Sequence, residues 1–218
     1  MGIVVNDSQN LFMLQTRSNS YAFGIDNQGL VRHLYWGSRI NAMEDFEMPE
    51  LAEVSTNDPV YEITKEEFPV YGGLRYKEHC LKVTFADGTR DVAYEYVNYE
   101  IQKNEQCEEL VIILKDKHYA LVMELHYKIY EAYDLMERFV VLKNESTEVM
   151  QIEKLHSGQF HVPYEGLNFR NVHGHWGAEQ QKFVQKVDYG KIIFENRRGI
   201  SSHNHNPYFI LDQDATET

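Results

Sequence analysis

Residues 119–130 read Tyr-Ala-Leu-Val-Met-Glu-Leu-His-Tyr-Lys-Ile-Tyr, and this stretch decides the fold class. Its odd positions, from Tyr119 to Ile129, are all apolar or aromatic, whereas Glu124, His126 and Lys128 occupy even positions. Alternation with a period of two residues predicts a long β-strand that has one buried face and one solvated face.

The neighbouring sequence continues the same pattern. An apolar run at 139–142 ends in the turn signal Lys-Asn-Glu-Ser, and residues 149–156 then alternate again, which indicates an antiparallel meander. Asp87-Gly88 lies between two β-rich runs and predicts a hairpin, and the chain's 15 Tyr and 11 Phe residues favour strands throughout. Similar turn signals occur at residues 26–29, 115–117 and 188–190.

Two stretches interrupt the strand pattern. Residues 41–67 are acidic and contain two prolines, so we expect a long loop there; residues 162–179 are rich in glycine and aromatics and predict a second irregular region. No stretch shows a convincing helical stripe. We therefore predict one all-β domain over residues 1–218, a large antiparallel β-sandwich with few or no helices.

Composition excludes several functional classes. Apolar residues make up 43% of the 218, enough for a real core, and 21 basic against 34 acidic residues give a net charge of −13. Such a surface repels phosphate backbones, so we expect no nucleic-acid partner. Apolar runs are too short to span a membrane, and the N-terminal sequence does not resemble a signal peptide, so we expect a cytoplasmic protein. In a cytoplasmic protein we expect Cys80 and Cys107 to be reduced residues of the core.

Histidines and carboxylates form the first candidate sites. The His-x-His pairs 173/175 and 203/205 are potential metal ligands, but no cysteine cluster or carboxylate at a recognisable ligand spacing completes a set. We expect loop histidines that make hydrogen bonds, and no metal or other cofactor. The acidic residues between Glu44 and Glu53 read as a solvated loop, because pairs of carboxylates carry little information in an acidic chain.

A tryptophan between glycines is a better functional signal. In Gly174-His175-Trp176-Gly177 the indole stands in a flexible backbone, where it either stacks on the CH face of a sugar or closes the end of the sandwich. Both readings remain open from the residues alone.

Several segments together resemble one family. They are Ser20-Tyr21-Ala22-Phe23, Leu34-Tyr35-Trp36-Gly37, Pro69-Val70-Tyr71-Gly72, His173-Gly174-His175-Trp176 and the block from Arg197-Arg198-Gly199 to Asn206-Pro207-Tyr208. The chain thereby resembles the N-terminal domain of the α-galactosidases of glycoside hydrolase family 36, the melibiases. The resemblance implies a β-supersandwich that precedes a catalytic (β/α)8 barrel, and a parent enzyme that hydrolyses terminal α-galactosides with retention and without a cofactor.

The resemblance also assigns roles to residues. Both catalytic aspartates of the family lie on the barrel, so we expect them beyond Thr218 and this chain to be inactive alone. The family's N-terminal domain serves subunit assembly and approaches the sugar pocket, which implies a homo-oligomer and a sugar contact by Trp176. Ala52 stands where the family has a sugar-binding aspartate, so the adjacent Glu53 is the second candidate substrate-binding residue. Arg197 and Arg198 are expected to be structural.

Two other functions remain in competition. One is a stand-alone carbohydrate-binding β-sandwich module, whose binding would depend on Trp176 but not on a barrel. The other is a small metal-dependent sandwich enzyme that uses the histidine pairs.

Overall fold

The structure is a computed structural model that describes residues 2–44, 46–48, 64–73, 75–163, 165–195, 197 and 204–213. The chain divides into two compact units, unit 1 over Met1–His161 and unit 2 over Val162–Thr218. The strands, in chain order, are β1 (Ile3–Asn6), β2 (Leu11–Gln15), β3 (Asn19–Ile25), β4 (Val31–Ser38), β5 (Leu81–Thr84), β6 (Tyr94–Lys103), β7 (Glu108–Asp116), β8 (Leu121–Tyr130), β9 (Leu135–Asn144), β10 (Gln151–Leu155), β11 (Leu167–His175), β12 (Ala178–Lys186) and β13 (Ile210–Gln213).

The predicted fold class is confirmed. The paired strands of the described residues are all antiparallel, and the helical content of these residues is a single 3₁₀ turn at Glu131–Tyr133. The stretch that opened the sequence analysis forms β8, at an interior position of a sheet in the order β6-β7-β8-β9. Its apolar odd positions face the core, as the alternation predicted.

Unit 1 contains a sandwich of two four-stranded sheets, together with a two-stranded sheet of β5 and β10. The first has the order β1-β2-β3-β4, and its inner face packs on the β6–β9 sheet around one continuous hydrophobic core. Phe23 of β3 stacks on Tyr127 of β8 with 4.8 Å between ring centroids, and Phe12 of β2 meets Tyr99 of β6 at 5.2 Å. These ring contacts join the two sheets, because residues on facing inner surfaces interdigitate to form the core.

The outer face of the first sheet is also covered. Leu11, Met13 and Ala22 point away from the main core and pack with Met43, which follows β4. Every residue of β2 is therefore buried, although an alternating pattern is typical of a strand with one wet face. The described part of the predicted acidic loop thus begins as a cover over this sheet, and it forms no strand or helix there.

Residues 64–71, which we call the closing segment, begin beside β4 at the edge of the first sheet. The backbone of residues 64–71 hydrogen-bonds β4 through His33 N to the Lys65 carbonyl, 2.7 Å, and then pairs with β5 in a parallel bridge between Val70 and Leu81. β5 pairs with β10 instead of β6. The Asp87-Gly88 turn forms, but β5 and β6 on its two sides do not pair with each other, so the predicted hairpin is wrong. The predicted meander is also incomplete, because its third strand, β10, pairs with β5.

Unit 2 contains a three-stranded sheet in the order β12-β11-β13. Residues 162–179 were predicted to be irregular; instead they include all of β11 and the start of β12. The glycine and aromatic residues predicted a loop because this short stretch contains both a strand and the tip of a hairpin. Residues 191–195, which follow the turn signal at residues 188–190, form no strand.

The two cysteines differ in their surroundings. Cys80 is buried in the core of unit 1, and burial raises the pKa of its thiol to about 11, so the thiol stays protonated and unreactive at neutral pH. Cys107 lies half-exposed in the β6–β7 turn and accepts a hydrogen bond from the Asn104 side chain at 3.4 Å, which contradicts the prediction of a core residue. Among the described residues, no helix has the length and apolar character needed to cross a membrane.

Candidate functional site

Trp176 projects from the tip of the β11–β12 hairpin. His175 pairs with Ala178 across the tip, and Gly177 adopts a left-handed backbone with φ of +78°. A Cβ on Gly174 would lie 2.5 Å from the Ala178 carbonyl oxygen, so the close approach of the two strands requires glycine at that position. The tip is further fixed by a hydrogen bond from Gly177 N to the Glu179 carboxylate, 3.0 Å.

The indole itself is almost completely open to solvent. Trp176 is 92% exposed, so within unit 2 it does not close the end of a core. A rigid hairpin that presents a bare indole is suited to stacking against a ligand, because little conformational entropy is lost when the ring is covered. Glu53, the second sequence-predicted binding residue, lies outside the described residues.

Aromatic side chains on one face of the unit 2 sheet support the hairpin. Phe169 at the centre stacks on Phe194 and on Phe209, each with 5.1 Å between ring centroids, and meets Phe183 edge-on. Asn171 is buried beside them and donates from Nδ2 to the carbonyls of Asn206 and Tyr208. This amide ties the segment before β13 to β11, which orders the family-like His-Asn-Pro-Tyr block.

The other face of the same sheet remains largely exposed. Val184 and Ile210 are each 50% exposed and lie on either side of Arg170, whose guanidinium pairs with Asp212 at 2.6 Å. With Val172 and Tyr208 they line a shallow groove. We call this surface, formed by Val172, Val184, Tyr208 and Ile210, the open face of unit 2.

The structure describes part of the histidine pairs and one of the two candidate arginines. The rings of His173 and His205 lie 6.1 Å apart, and the part of the chain that the structure describes contains no group of three or more His, Cys, Asp or Glu side chains arranged for a metal ion. Arg197 pairs with Glu195 at 2.8 Å on an exposed surface, where such a pair adds little stability. His203 and Arg198 lie outside the described residues.

A buried charged cluster lies in the core of unit 1. Glu67 is completely buried and accepts hydrogen bonds from the hydroxyl of Tyr21 at 2.6 Å and the Nδ1 of His33 at 2.9 Å. Its other oxygen pairs with the Arg138 guanidinium at 2.8 Å and receives the hydroxyl of Tyr127 at 3.2 Å. These five residues, from β3, β4, the closing segment, β8 and β9, form the Glu67 cluster and join both sheets.

Electrostatics hold the cluster in its ionised form. Burial alone would raise the pKa of Glu67, but Arg138 and the hydrogen bonds from His33 and Tyr21 bring it below its ordinary value. Burial also opposes the charge on Arg138, and the surrounding Tyr127, Glu67 and Tyr21 more than compensate, so the pKa of the guanidinium is raised. Burial and the adjacent carboxylate raise the pKa values of both tyrosines well above 10. At neutral pH the cluster is thus an ion pair with neutral phenols around it.

Sequence reasoning missed this cluster. The available signal was an acidic doublet, Glu66-Glu67, directly before the apolar run Phe68-Pro69-Val70, and an arginine inside an apolar strand run at Arg138. Each feature alone is common on surfaces. Only their convergence in space shows that the carboxylate and the guanidinium compensate each other.

The described geometry defines a class of protein: an antiparallel β-sandwich unit followed by a small three-stranded unit that displays an aromatic residue on a rigid hairpin. No catalytic constellation is evident among the described residues. A sandwich fold hosts many unrelated functions, so this architecture alone assigns no activity.

Comparison with known proteins identifies the family. Residues 29–218 match the family model of the glycosyl hydrolase family 36 N-terminal domain, and the chain belongs to that family. A probable α-galactosidase G of Aspergillus terreus is 26% identical over 94% of this chain, which spans 30% of that relative. A bifunctional α-galactosidase/sucrose kinase of Mediterraneibacter gnavus is 24% identical over the whole chain, which spans 26% of its length.

A solved structure agrees on the fold. The crystal structure of the α-galactosidase AgaB from Geobacillus stearothermophilus superposes on 99% of this chain with a TM-score of 0.86 at 23% identity. This chain covers 32% of AgaB, so it corresponds to about a third of the enzymes that it resembles. The predicted family and fold are therefore confirmed, and the activity of a longer protein is a matter for proposal.

Proposed function

We propose that this chain is the non-catalytic N-terminal domain of a cytoplasmic α-galactosidase that releases terminal α-galactose from oligosaccharides of the melibiose and raffinose type with retention. The match to the family model over residues 29–218 carries the proposal. In this proposal residues 1–218 form the supersandwich domain, both catalytic aspartates belong to a barrel that follows it, and neither metal nor organic cofactor takes part.

Trp176 supplies the proposed contact with substrate. An exposed indole on a rigid hairpin offers a flat apolar surface to the CH face of a galactoside, while polar groups nearby read its hydroxyls. We assign the polar contact to Glu53, whose carboxylate would accept hydrogen bonds from sugar hydroxyls. Both residues would position the sugar for carboxylates on the barrel, a role that affects substrate binding more than the chemical step.

The open face of unit 2 supports the proposed docking role. Monomeric proteins rarely leave contiguous apolar patches uncovered, and Val184, Tyr208 and Ile210 are each about half-exposed on one side of the sheet. A surface of this kind fits an apolar face of the barrel or of a second subunit. Homo-oligomer formation through this domain is part of the same proposal.

The first experiment places this chain in front of a working barrel. A chimera of AgaB, with its equivalent N-terminal region replaced by residues 1–218, is assayed on raffinose and melibiose beside the isolated 218-residue chain. We expect a hydrolytic chimera and an inactive isolated chain. We expect Trp176→Ala in the chimera to raise KM several-fold with little change in kcat, since it removes a binding contact. Exposed Tyr189→Ala is the matched control, with unchanged kinetics.

The competing function is a stand-alone carbohydrate-binding module, which the exposure of Trp176 equally favours. Titration of the isolated chain with raffinose in a calorimeter separates the two. Binding in the millimolar range or tighter that disappears in Trp176→Ala would favour the module. No binding, together with an active chimera, supports the accessory domain, and a folded but inactive chimera would contradict it.

A further inference from the structure

The β11–β12 hairpin contains a β-bulge directly behind its tip. Two residues of β12, Glu179 and Gln180, lie opposite a single residue of β11, Gly174. The pairing is regular along the rest of the two strands and resumes at the tip, where His175 pairs with Ala178. Such a bulge bends the strand that carries the extra residue and increases its right-handed twist.

The backbone of this bulge is strained. Gln180 adopts φ of +57°, in the left-handed region that residues other than glycine rarely occupy. A Cβ on Gly174 would lie 2.5 Å from the Ala178 carbonyl oxygen and 2.9 Å from the Cα of Glu179, so only glycine fits opposite the bulge. Backbone strain persists where the surrounding structure holds it, and it is concentrated at functional sites.

The turn at the tip explains why the hairpin needs a bulge. Trp176 and Gly177 are its two central residues, and of these Gly177 alone has a positive φ, +78°. The two-residue turns whose twist matches that of hairpin strands require a positive φ at the first central position, which is strained for a tryptophan. A turn without it splays the two strands, and the added twist of the bulge allows them to pair again.

The first residue of the bulge also holds the turn. The Glu179 carboxylate accepts a hydrogen bond from Gly177 N at 3.0 Å, and the Glu179 carbonyl accepts one from Nε2 of Gln181 at 3.4 Å. Glu179 thus connects the bulge to the residue that follows Trp176. Because the indole is almost fully exposed, packing contributes little to its orientation, and the backbone of the tip sets the direction of its Cα–Cβ bond.

We propose that the Glu179–Gln180 bulge positions Trp176 for its contact with the sugar, and that Glu179 is a positioning residue that acts through the backbone of Gly177. This inference rests on the proposed role of Trp176 in galactoside binding. A tip that is held in one direction loses less freedom when a sugar covers the ring. A misplacement of about 1 Å in a positioning contact can cost a large part of its effect.

Deletion of Gln180 removes the bulge and leaves the pairing on both sides of it in register. Gly174 then faces Glu179 alone, while His175 still pairs with Ala178 and the strand residues beyond the bulge keep their partners. Gln180→Gly is the matched variant, because glycine adopts a left-handed backbone freely and therefore keeps the bulge. The two variants separate the effect of the bulge from that of the Gln180 side chain.

The direction of the tip is measured first, on the isotope-labelled 218-residue chain. Residual dipolar couplings of the N–H and Cα–Hα bonds of Trp176 report the orientation of the tip relative to β11. We expect these couplings to change after deletion of Gln180 and to stay the same in Gln180→Gly, with those of β11 unchanged in both. Trp176 couplings that the deletion leaves unaltered would overturn the proposal.

The role of Glu179 is tested by rescue. Glu179→Ala removes the acceptor for Gly177 N and should change the Trp176 couplings, whereas Glu179→Gln keeps a carbonyl acceptor and should restore them. Equal couplings in the two variants would contradict the positioning role of this side chain. The same pair decides the proposal if the deletion variant does not fold.

Kinetics of the AgaB chimera test the consequence for binding. Deletion of Gln180 should raise KM for raffinose several-fold with little change in kcat, as Trp176→Ala does, and the two changes together should raise it no further. Gln180→Gly should keep the KM of the unaltered chimera, and a rise equal to that of the deletion would contradict a role of the bulge.

The kinetic outcomes also distinguish this inference from the function on which it rests. An unchanged KM after deletion of Gln180, beside a raised KM in Trp176→Ala, would overturn the positioning role and leave the sugar contact intact. An unchanged KM in Trp176→Ala itself would overturn both.

Discussion

The two units differ in where they place their charges and their aromatic rings. Residues 162–218 contain six basic and seven acidic residues, a net charge of −1, which leaves −12 of the chain's −13 on residues 1–161. Unit 1 has a large buried core that contains many of its rings, although Tyr76 and Tyr133 on its surface are exposed. In unit 2 Phe209 is 59% exposed, and Val184 and Ile210 are half-exposed. A highly charged sandwich resists association, and a nearly neutral sheet with open apolar area permits it.

Buried polar groups do not follow this contrast, because both units contain some without a hydrogen-bond partner. In unit 1 tyrosines and a histidine bind the Glu67 carboxylate, whereas the Nε of Arg138 is buried without a hydrogen-bond partner. In unit 2 the Asn171 Oδ1, the His205 Nδ1 and one oxygen of Asp212 are buried without a hydrogen-bond partner. Unsatisfied buried groups cost about 1–3 kcal/mol each, so both units carry this cost and it does not separate them.

The largest expected effect comes from breaking the buried ion pair. Arg138→Met leaves the Glu67 carboxylate buried without its counter-ion and should lower the free energy of unfolding by about 3–5 kcal/mol. Urea unfolding, with hydrogen exchange of β8 to assign the transition to unit 1, measures the loss. Arg170→Met in unit 2 is the control: its pair with Asp212 is about one-third exposed, so a change below about 1 kcal/mol is expected. Equal losses would contradict the contrast between the units.

Core truncation should give the next largest difference. Phe23 is fully buried between the sheets, and Phe23→Ala should cost about 3–5 kcal/mol through lost burial and a cavity. Phe169 is the most buried ring of unit 2, yet Phe169→Ala should cost less, about 2 kcal/mol, because exposed Phe209 beside it can relax into the space. Exchange protection of β8 and of β11 follows the two units separately. A larger loss at Phe169 would show that unit 2 holds its core as tightly as unit 1.

Acid should weaken unit 1 through Glu67. The pKa of this carboxyl is lowered in the fold, so its contribution is complete above the ordinary glutamate pKa of about 4.5 and decreases as the pH falls below it. Unfolding curves between pH 6 and 3 should show this decrease in the unaltered chain and a flatter profile in Glu67→Gln, which starts from lower stability at pH 6. Glu195→Gln, at an exposed pair of unit 2, should retain the profile of the unaltered chain.

Trp176→Ala should have the smallest effect on stability, within about 0.5 kcal/mol, because the ring is almost fully exposed. Thermal unfolding of the isolated chain checks this. A loss above 1 kcal/mol would mean that the indole packs within the chain, and it would weaken its proposed role as a sugar contact.

Alternation and local turn signals predicted the strands and their pairing correctly where a strand pairs with its neighbour in sequence. The pairs β3–β4, β7–β8 and β8–β9 follow this rule. Turn signals in the sequence separate β3 from β4 and β7 from β8. The rule failed at Asp87-Gly88, because a turn fixes the direction of the chain but not the sheet that the next strand joins. It failed again at residues 162–179, where Gly174 permits a close strand pairing that reads as a loop.

The candidate site residues show the same difference between local and long-range information. Trp176 became a candidate from the sequence because glycines on both sides of an indole are a local signal. The structure adds that the ring is exposed, and its contact with a sugar stays a prediction. The Glu67 cluster was not found, because Tyr21, His33, Tyr127 and Arg138 are 34 to 71 positions from Glu67 in sequence. No local pattern records such a convergence.

The sequence by itself determined an all-β antiparallel fold, an acidic surface and the family to which the chain belongs, because periodicity, charge and short motifs are properties of neighbouring residues. The tertiary structure alone decided that β5 pairs with β10, that an ion pair lies at the centre of unit 1 and that unit 2 leaves one sheet face open. These features depend on burial and on distances between residues far apart in the chain, and burial is what turns a glutamate and an arginine from surface charges into a structural pair.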